Sequence, residues 1–145
     1  MITPFESKIG VRWADLDPNF HMLHSRYYDF GATCRMEFLI EHGLTPEWMV
    51  QNHIGPILFK EQCQFKKEVR FGDSIVLNLK LIKANRDFSR WAFRHEMVKN
   101  GDTIAAIIEV EGAWMDTVSR RLTRPGEKVT DTFSQVPLAE DFQWL

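Results

Sequence analysis

Apolar residues recur along this chain with two different periods, and the change between them divides it. From about Ser25 to His42 the sequence lacks proline, and Tyr27, Phe30, Cys34 and Phe38 return at helical spacing with Met36, Leu39 and Ile40 beside them. This predicts a long helix that starts at Ser25 or His24 and stops at Gly43, where a left-handed residue ends the last turn. Its apolar residues fill more than one stripe, which predicts a helix covered on most sides. Gly31 in its middle weakens the helix, and a sheet backbone approaching at that point would explain it. Thr45-Pro46 reads as the N-cap and first-turn proline of a short helix ending near Asn52.

From Ile57 the period becomes two. Ile57, Phe59, Cys63, Phe65, Val69 and Phe71 would share one face of a long strand, and Lys60, Gln62, Gln64, Lys66 and Arg70 the other, up to a break at Gly72-Asp73. Ile75, Leu77, Leu79 and Leu81 predict the next strand, followed by a turn at Asn85-Arg86-Asp87. Trp91, Phe93 and Met97 mark a third strand, and Asn100-Gly101-Asp102 is a hairpin signal. Ile104, Ala106, Ile108, Val110 and Trp114 then alternate against Glu109 and Glu111. Ile9, Val11 and Trp13 make a short extended segment near the start, and the polar stretch after Asp116 has no clear period. One long helix followed by consecutive strands joined by turns predicts an α+β fold with a mostly antiparallel sheet.

Composition narrows the field. The 145 residues fit one domain, 1–145, with no repeat or linker, and 44% hydrophobic against 26% charged residues is a globular mixture. A net charge of −2 removes the electrostatic case for nucleic-acid binding. The longest apolar run, Ile104–Ile108, is far too short to span a bilayer, so no membrane insertion is expected. Cys34 and Cys63 are far apart, and no basic-then-apolar leader opens the chain. These features point to a reduced, cytoplasmic protein.

The chemistry concentrates between the first extended segment and the long helix, in Asp15-Leu16-Asp17-Pro18-Asn19-Phe20-His21-Met22-Leu23-His24. One account is structural: Asp15, Asp17 and Asn19 form turn hydrogen bonds and the histidines pack or face water. A second is a metal site using His21 and His24, although the spacing lacks the H-E-x-x-H helix pattern. A third is metal-free hydrolysis. Asp17 would attack an acyl carbon or activate water while the N–H groups at the start of the long helix hold the oxyanion. The chain has no G-x-S-x-G, no P-loop and no Gly-rich dinucleotide fingerprint.

The stretch from Val11 to Tyr27 resembles the signature of hotdog-fold thioesterases of the 4-hydroxybenzoyl-CoA thioesterase type. One branch of that family reads approximately D-x-D-x-x-x-x-x-x-H-x-x-Y, matched by Asp15, Asp17, His24 and Tyr27. Another reads D-x-x-x-H-x-x-N-x-x-Y, matched by Asp17, His21 and Tyr27, with His24 in place of Asn. The resemblance continues weakly through Phe71-Gly72-Asp73, Ser89, Asp116 and Arg120-Arg121. It implies an antiparallel sheet wrapped around one central helix, and an acyl-CoA thioesterase with no cofactor, coenzyme A being part of the substrate. A thioesterase acting on acyl carrier protein, or a non-catalytic acyl-thioester-binding protein, are the alternatives.

By that resemblance Asp17 is the nucleophile or general base, and His24 donates to the thioester carbonyl or orients water. Asp15 supports the loop, and His21 and Tyr27 line the acyl pocket. Glu61 is a lone charge on an apolar strand face and would accept a hydrogen bond near the active site, whereas Lys67 on the same face reaches solvent. His95, beside Phe93 and Met97, reads as a core or interface histidine. Arg86, Arg90 and Arg94 share a polar face; if it is more than a solvated surface, Ser89 and Arg90 would hold the coenzyme A phosphates. The family also implies a homodimer with the active site at the interface, and a tetramer as a further assembly.

Overall fold

The computed structural model describes residues 2–145. Strand β1 (Glu6–Ile9) and a single 3-10 turn (Trp13–Asp15) lead through the Asp17 loop into helix α1 (Arg26–Glu41), followed by the short helix α2 (Pro46–Gln51). Strands β2 (Ile54–Phe65), β3 (Ile75–Asn78), β4 (Lys80–Ala84), β5 (Arg90–Lys99) and β6 (Thr103–Asp116) come next. The two-residue strand β7 (Arg121–Leu122), helix α3 (Glu127–Phe133) and strand β8 (Leu138–Trp144) complete the chain.

The long helix lies where the 3.6-residue period placed it, one residue shorter at each end, and Gly43 at φ +84° turns the chain away. Thr45 caps α2, its hydroxyl accepting the Trp48 N–H at 3.1 Å. The close approach at Gly31 is made by side chains and not by sheet backbone. A Cβ there would stand 3.3 Å from both the His95 ring and the Arg35 guanidinium.

All eight strands join one sheet. β2 pairs with β6, β6 with β5, and β5 with both β3 and β4, all antiparallel; β1 borders β3 and β8 borders β4. The sheet curls around α1, which packs on β1, β2, β3 and β6. Ile75, Leu77, Leu79 and Leu81 form one fully buried row, although the chain breaks at Leu79 into two strands. The β5–β6 hairpin turns at Asn100 and Gly101, both with positive φ, as the Asn-Gly signal demands.

Two expectations need correction. The run from Ile57 to Phe71 is not one strand, because β2 ends at Phe65 and residues 66–74 carry only an isolated bridge between His21 and Arg70. A bulge between Leu58 and Lys60 also reverses the alternation. Leu58 and Pro56 therefore face α1 together with Glu61, Cys63 and Phe65, and Phe59 turns outward beneath the Arg90 guanidinium, 5.5 Å from its ring.

The stretch after Asp116, which shows no period, is ordered structure. Val129, Phe133 and Val136 are fully buried, and the Phe133 ring contacts those of Phe88, Trp91, Phe93 and Trp114 at 5.4–6.1 Å. β8 lies parallel to β4 and is held from outside by Arg94, which donates to Glu109 at 2.7 Å and to both Asp141 oxygens at 2.9 Å.

Candidate active site

The Asp17 loop is built from backbone hydrogen bonds that its acidic residues organise. Asp15 is fully buried and accepts from the Arg12 backbone at 2.8 Å and from its guanidinium at 2.8 and 3.2 Å, with Arg26 3.3 Å away. These hydrogen bonds with Arg12 hold its carboxyl below the usual carboxylate range, against the opposing effect of burial. Its carbonyl accepts the Leu23 N–H at 2.8 Å, so Asp15 ties the loop to the start of α1. Both Asp15 carboxylate oxygens are engaged by the Arg12 guanidinium.

Asp17 closes a tight turn two residues later. Its Oδ1 accepts the Asn19 N–H at 2.8 Å and the His21 N–H at 3.2 Å, while its carbonyl accepts from Phe20, which sits at φ +65°. Its Oδ2 has no partner among the described residues. One carboxylate oxygen thus fixes the orientation and the other is available. The turn account of Asp17 is met by these hydrogen bonds, which leave one carboxylate oxygen unengaged.

Asp17, His21, His24 and Tyr27 line one open cleft of about 300 Å³, closed on its far side by Phe65, Lys66, Lys67 and Glu68. His21 Nε2 lies 2.8 Å from a Glu68 oxygen. His24 is exposed at the rim. The Tyr27 ring packs edge-on against Phe65 at 4.9 Å, and its phenol is pushed up to about 12, chiefly by burial and then by Cys63 and Asp17. The first turn of α1 opens beside this cleft, and Ser25 does not cap it with its side chain. The Arg26 N–H is already taken by the Leu23 carbonyl at 2.9 Å, whereas the Tyr27 and Tyr28 N–H groups have no backbone partner among the described residues and are free to bind a developing negative charge. Lys66 and Lys67 are the cations of this cleft, and both are exposed beyond the end of β2, as sequence reasoning expected of Lys67.

Glu61, Ser89 and Arg90 lie elsewhere. Glu61 is 3.7 Å from the Arg35 guanidinium, which is buried in α1 and donates to His95 Nε2 at 3.0 Å. His95 Nδ1 in turn donates to the Asn78 carbonyl at 2.8 Å, which sets the tautomer. Sequence reasoning missed Arg35, although Tyr27, Gly31 and Arg35 stand one above another at i, i+4 and i+8. Ser89 and Arg90 close the β4–β5 turn. Arg90 pairs with Ala113, which also pairs with Ile57, so within one chain Arg90 sits eight β2 residues, about 26 Å, from Phe65. Among the described residues, no three His, Cys, Asp or Glu side chains gather as a metal-binding set. Among the described residues, no helix is long and apolar enough to cross a membrane.

Burial and the Arg35 charge push the fully buried His95 down to about 3. The unfolded chain, with histidine near 6.5, binds more protons between these values, so stability rises with pH from about 3 to about 6.5 and is lost as pH falls through that window. Unfolding free energies from urea titrations between pH 4 and about 5.5 should therefore rise with pH about 1.4 kcal/mol per unit more steeply in the parent than in His95→Gln. Equal slopes in the two proteins would remove His95 from the acid sensitivity of the fold.

This curled sheet around one helix, with a carboxylate loop at the helix start, is a hotdog fold. The sequence matches the thioesterase-like superfamily over residues 11–135, and the chain belongs to that superfamily of thioester hydrolases. No curated protein matches it. Among solved structures it is similar to a Staphylococcus aureus protein determined in complex with CoA, with 18% identity, TM-score 0.85 and coverage of 96% of this chain and 89% of that one. It is also similar to a 1,4-dihydroxy-2-naphthoyl-CoA thioesterase from Synechocystis, with 13% identity, TM-score 0.81 and coverage of 91% and 96%. A protein from Aquifex aeolicus aligns at 20% identity and TM-score 0.81, with 89% and 98% covered.

Proposed function

We propose that the protein hydrolyses acyl-CoA thioesters in the manner of the 4-hydroxybenzoyl-CoA thioesterase type, with Asp17 as nucleophile or general base. The observation that carries this reading is the Asp17 carboxylate, held by Oδ1 and free at Oδ2, in a cleft beside the uncapped start of α1. The thioester carbonyl lies against the leading N–H groups of α1, which stabilise the oxyanion. Asp17 attacks the carbonyl carbon to give an anhydride that water opens, or takes a proton from water as that water attacks. In either route the C–S bond breaks, a C–O bond replaces it, and the thiolate leaves with a proton. His24 orients water or donates to the carbonyl, and His21 and Tyr27 bound the acyl carbon. Coenzyme A enters only as part of the substrate, the protein works in the cytoplasm, and no cofactor takes part. Release of free thiol from a panel of acyl-CoAs, with enzyme dialysed against a strong chelator, tests this. Activity is expected to survive chelation; loss restored by zinc or manganese would replace this mechanism with a metal-dependent one.

The working unit in this reading is a homodimer of single hotdog domains. β2 has twelve residues and among the described residues pairs only with β6, leaving its other edge open, with Leu58 and Phe65 half exposed on its inner face. Antiparallel pairing of two such edges about a two-fold axis near the middle of β2 brings Ser89 and Arg90 of one copy toward the Asp17 cleft of the other. Those residues, far from Asp17 in one chain, then face the coenzyme A phosphates. Light scattering at assay concentration is expected to give a dimer or a dimer of dimers; a fully active monomer would overturn this assembly.

A further inference from the structure

Three aromatic rings stand in water beside the Asp17 cleft. Trp13, Phe20 and Phe71 are 66%, 61% and 61% exposed, and the Trp13 ring lies 6.0 Å from that of Phe20 and 6.4 Å from that of Phe71. They come from three segments: the 3-10 turn after β1, the Asp17 loop, and the stretch between β2 and β3. A single exposed apolar side chain needs no explanation, but rings gathered from separate segments into one patch do. Phe20 also sits at φ +65°, a conformation that a bulky L-residue rarely adopts, and its side chain is left largely in solvent.

Neither the fold nor the β2 pairing proposed above covers this patch. Ile9 pairs with Ile75 across β1 and β3, and Trp13 and Phe71 each lie four residues beyond that pair. β5 and β6 stand between β3 and β2, so β3 is about 14 Å, three strand spacings, from β2. The patch therefore flanks the cleft on the side away from the open β2 edge.

Charge around the rings suits a negative surface. Arg12 and Arg70, next in sequence to Trp13 and Phe71, have side chains 71% and 63% exposed, and Lys66 and Lys67 are exposed on the same cleft. The acids of these segments are withdrawn or engaged. Asp15 is fully buried, and Asp73 accepts from the Arg70 backbone and from Asn100, with Lys99 3.9 Å away. Glu68 lies against Arg70 and His21, and one Asp17 oxygen is held in its turn. On a chain of net charge −2, such an arrangement turns this end of the molecule toward negative charge. The patch is also small: three aromatic side chains exposed to this degree present roughly 300–450 Å², against about 800 Å² per partner in a stable protein interface. A small apolar patch ringed by cations fits shallow entry into a lipid headgroup layer, which demands no complementary protein surface.

We propose that Trp13, Phe20 and Phe71 form a docking patch for an anionic lipid surface, with the rings entering the headgroup layer and Arg12, Arg70, Lys66 and Lys67 meeting lipid phosphates. The protein then lies on the membrane and does not cross it. Docking sets the mouth of the Asp17 cleft against the bilayer. Under the thioesterase reading this is where long-chain acyl-CoA, an amphiphile, collects; the docking itself does not depend on that reading.

The test is co-sedimentation with vesicles of phosphatidylcholine alone and of phosphatidylcholine with about one-third phosphatidylglycerol. The parent is expected to bind the anionic vesicles roughly tenfold or more tightly than the neutral ones, and less as salt is raised. Trp13→Gln with Phe71→Gln, at two exposed positions, should weaken that binding by about tenfold or more. Brominated lipid should quench the parent's fluorescence, whereas Trp13→Phe, which keeps the patch apolar, should bind and lose most of the quenching. No binding to anionic vesicles, or equal binding by the parent and the double variant, would overturn the docking patch. Equal binding to neutral and anionic vesicles would overturn the part given to the cations. A larger assembly in light scattering that the double variant loses, without vesicle binding, would assign the patch to a second copy of this chain and overturn the lipid reading. If vesicles bind and no acyl-CoA is hydrolysed, the docking patch stands and the thioesterase reading fails.

Discussion

Asp17→Asn is expected to lower kcat by about a thousandfold or more, a loss of roughly 4 kcal/mol in transition-state stabilisation, with little change in fold or in substrate binding. Asn keeps the oxygen that accepts the Asn19 and His21 N–H groups, so the turn that orients the side chain survives. The change places an amide where Oδ2 stands, and an amide neither attacks a thioester nor takes a proton from water. The measurement is steady-state thiol release with the best acyl-CoA substrate, beside circular dichroism and the affinity for a non-hydrolysable thioether analogue. A variant that retains activity within a few-fold of the parent would show that the reacting group lies elsewhere. His24, exposed on the same cleft, would then become the first residue to test.

Phe133→Ala is expected to destabilise the protein by about 3–5 kcal/mol. The ring is 1% exposed and fills the junction of Phe88, Trp91, Phe93 and Trp114. Its removal leaves a void that these large rings, fixed on β5, β6 and the β4–β5 turn, cannot collapse to fill. The same void would open into a cavity beneath α1, because Phe133 forms part of its wall. Urea denaturation followed by tryptophan fluorescence reports the loss. A change below about 1 kcal/mol would mean that α3 is a loosely attached cover and not part of the core.

The Asp17 loop was legible in the sequence because its chemistry is local. Asp15, Asp17 and the following N–H groups are near neighbours in the chain, so turn propensity and residue spacing define both the turn and the carboxylate it presents. Cleft-lining His21, His24 and Tyr27 follow within ten residues and needed no distant contact to be grouped. Arg35 was not legible in the same way. A buried cation is recognised only through what answers it, and Glu61 and His95 come from strands 26 and 60 residues further along.

What the sequence by itself determined is therefore whatever burial imprints as a period. The length and place of α1, the buried row from Ile75 to Leu81, the Asn-Gly hairpin and the loop that carries Asp17 all follow from side chains alternating between core and water. Tertiary structure alone decided the phase reversal at the β2 bulge, the parallel seating of β8 on β4, and the distance between Asp17 and Arg90 within one chain. It also decided the gathering of Arg35, Glu61 and His95, and of Trp91 with Trp114 around one cavity. These features depend on hydrogen-bond register and on pairings between distant residues. A bulge adds one residue to one strand without changing the character of its side chains, so the local pattern reads the same on either side of it while every later residue changes face.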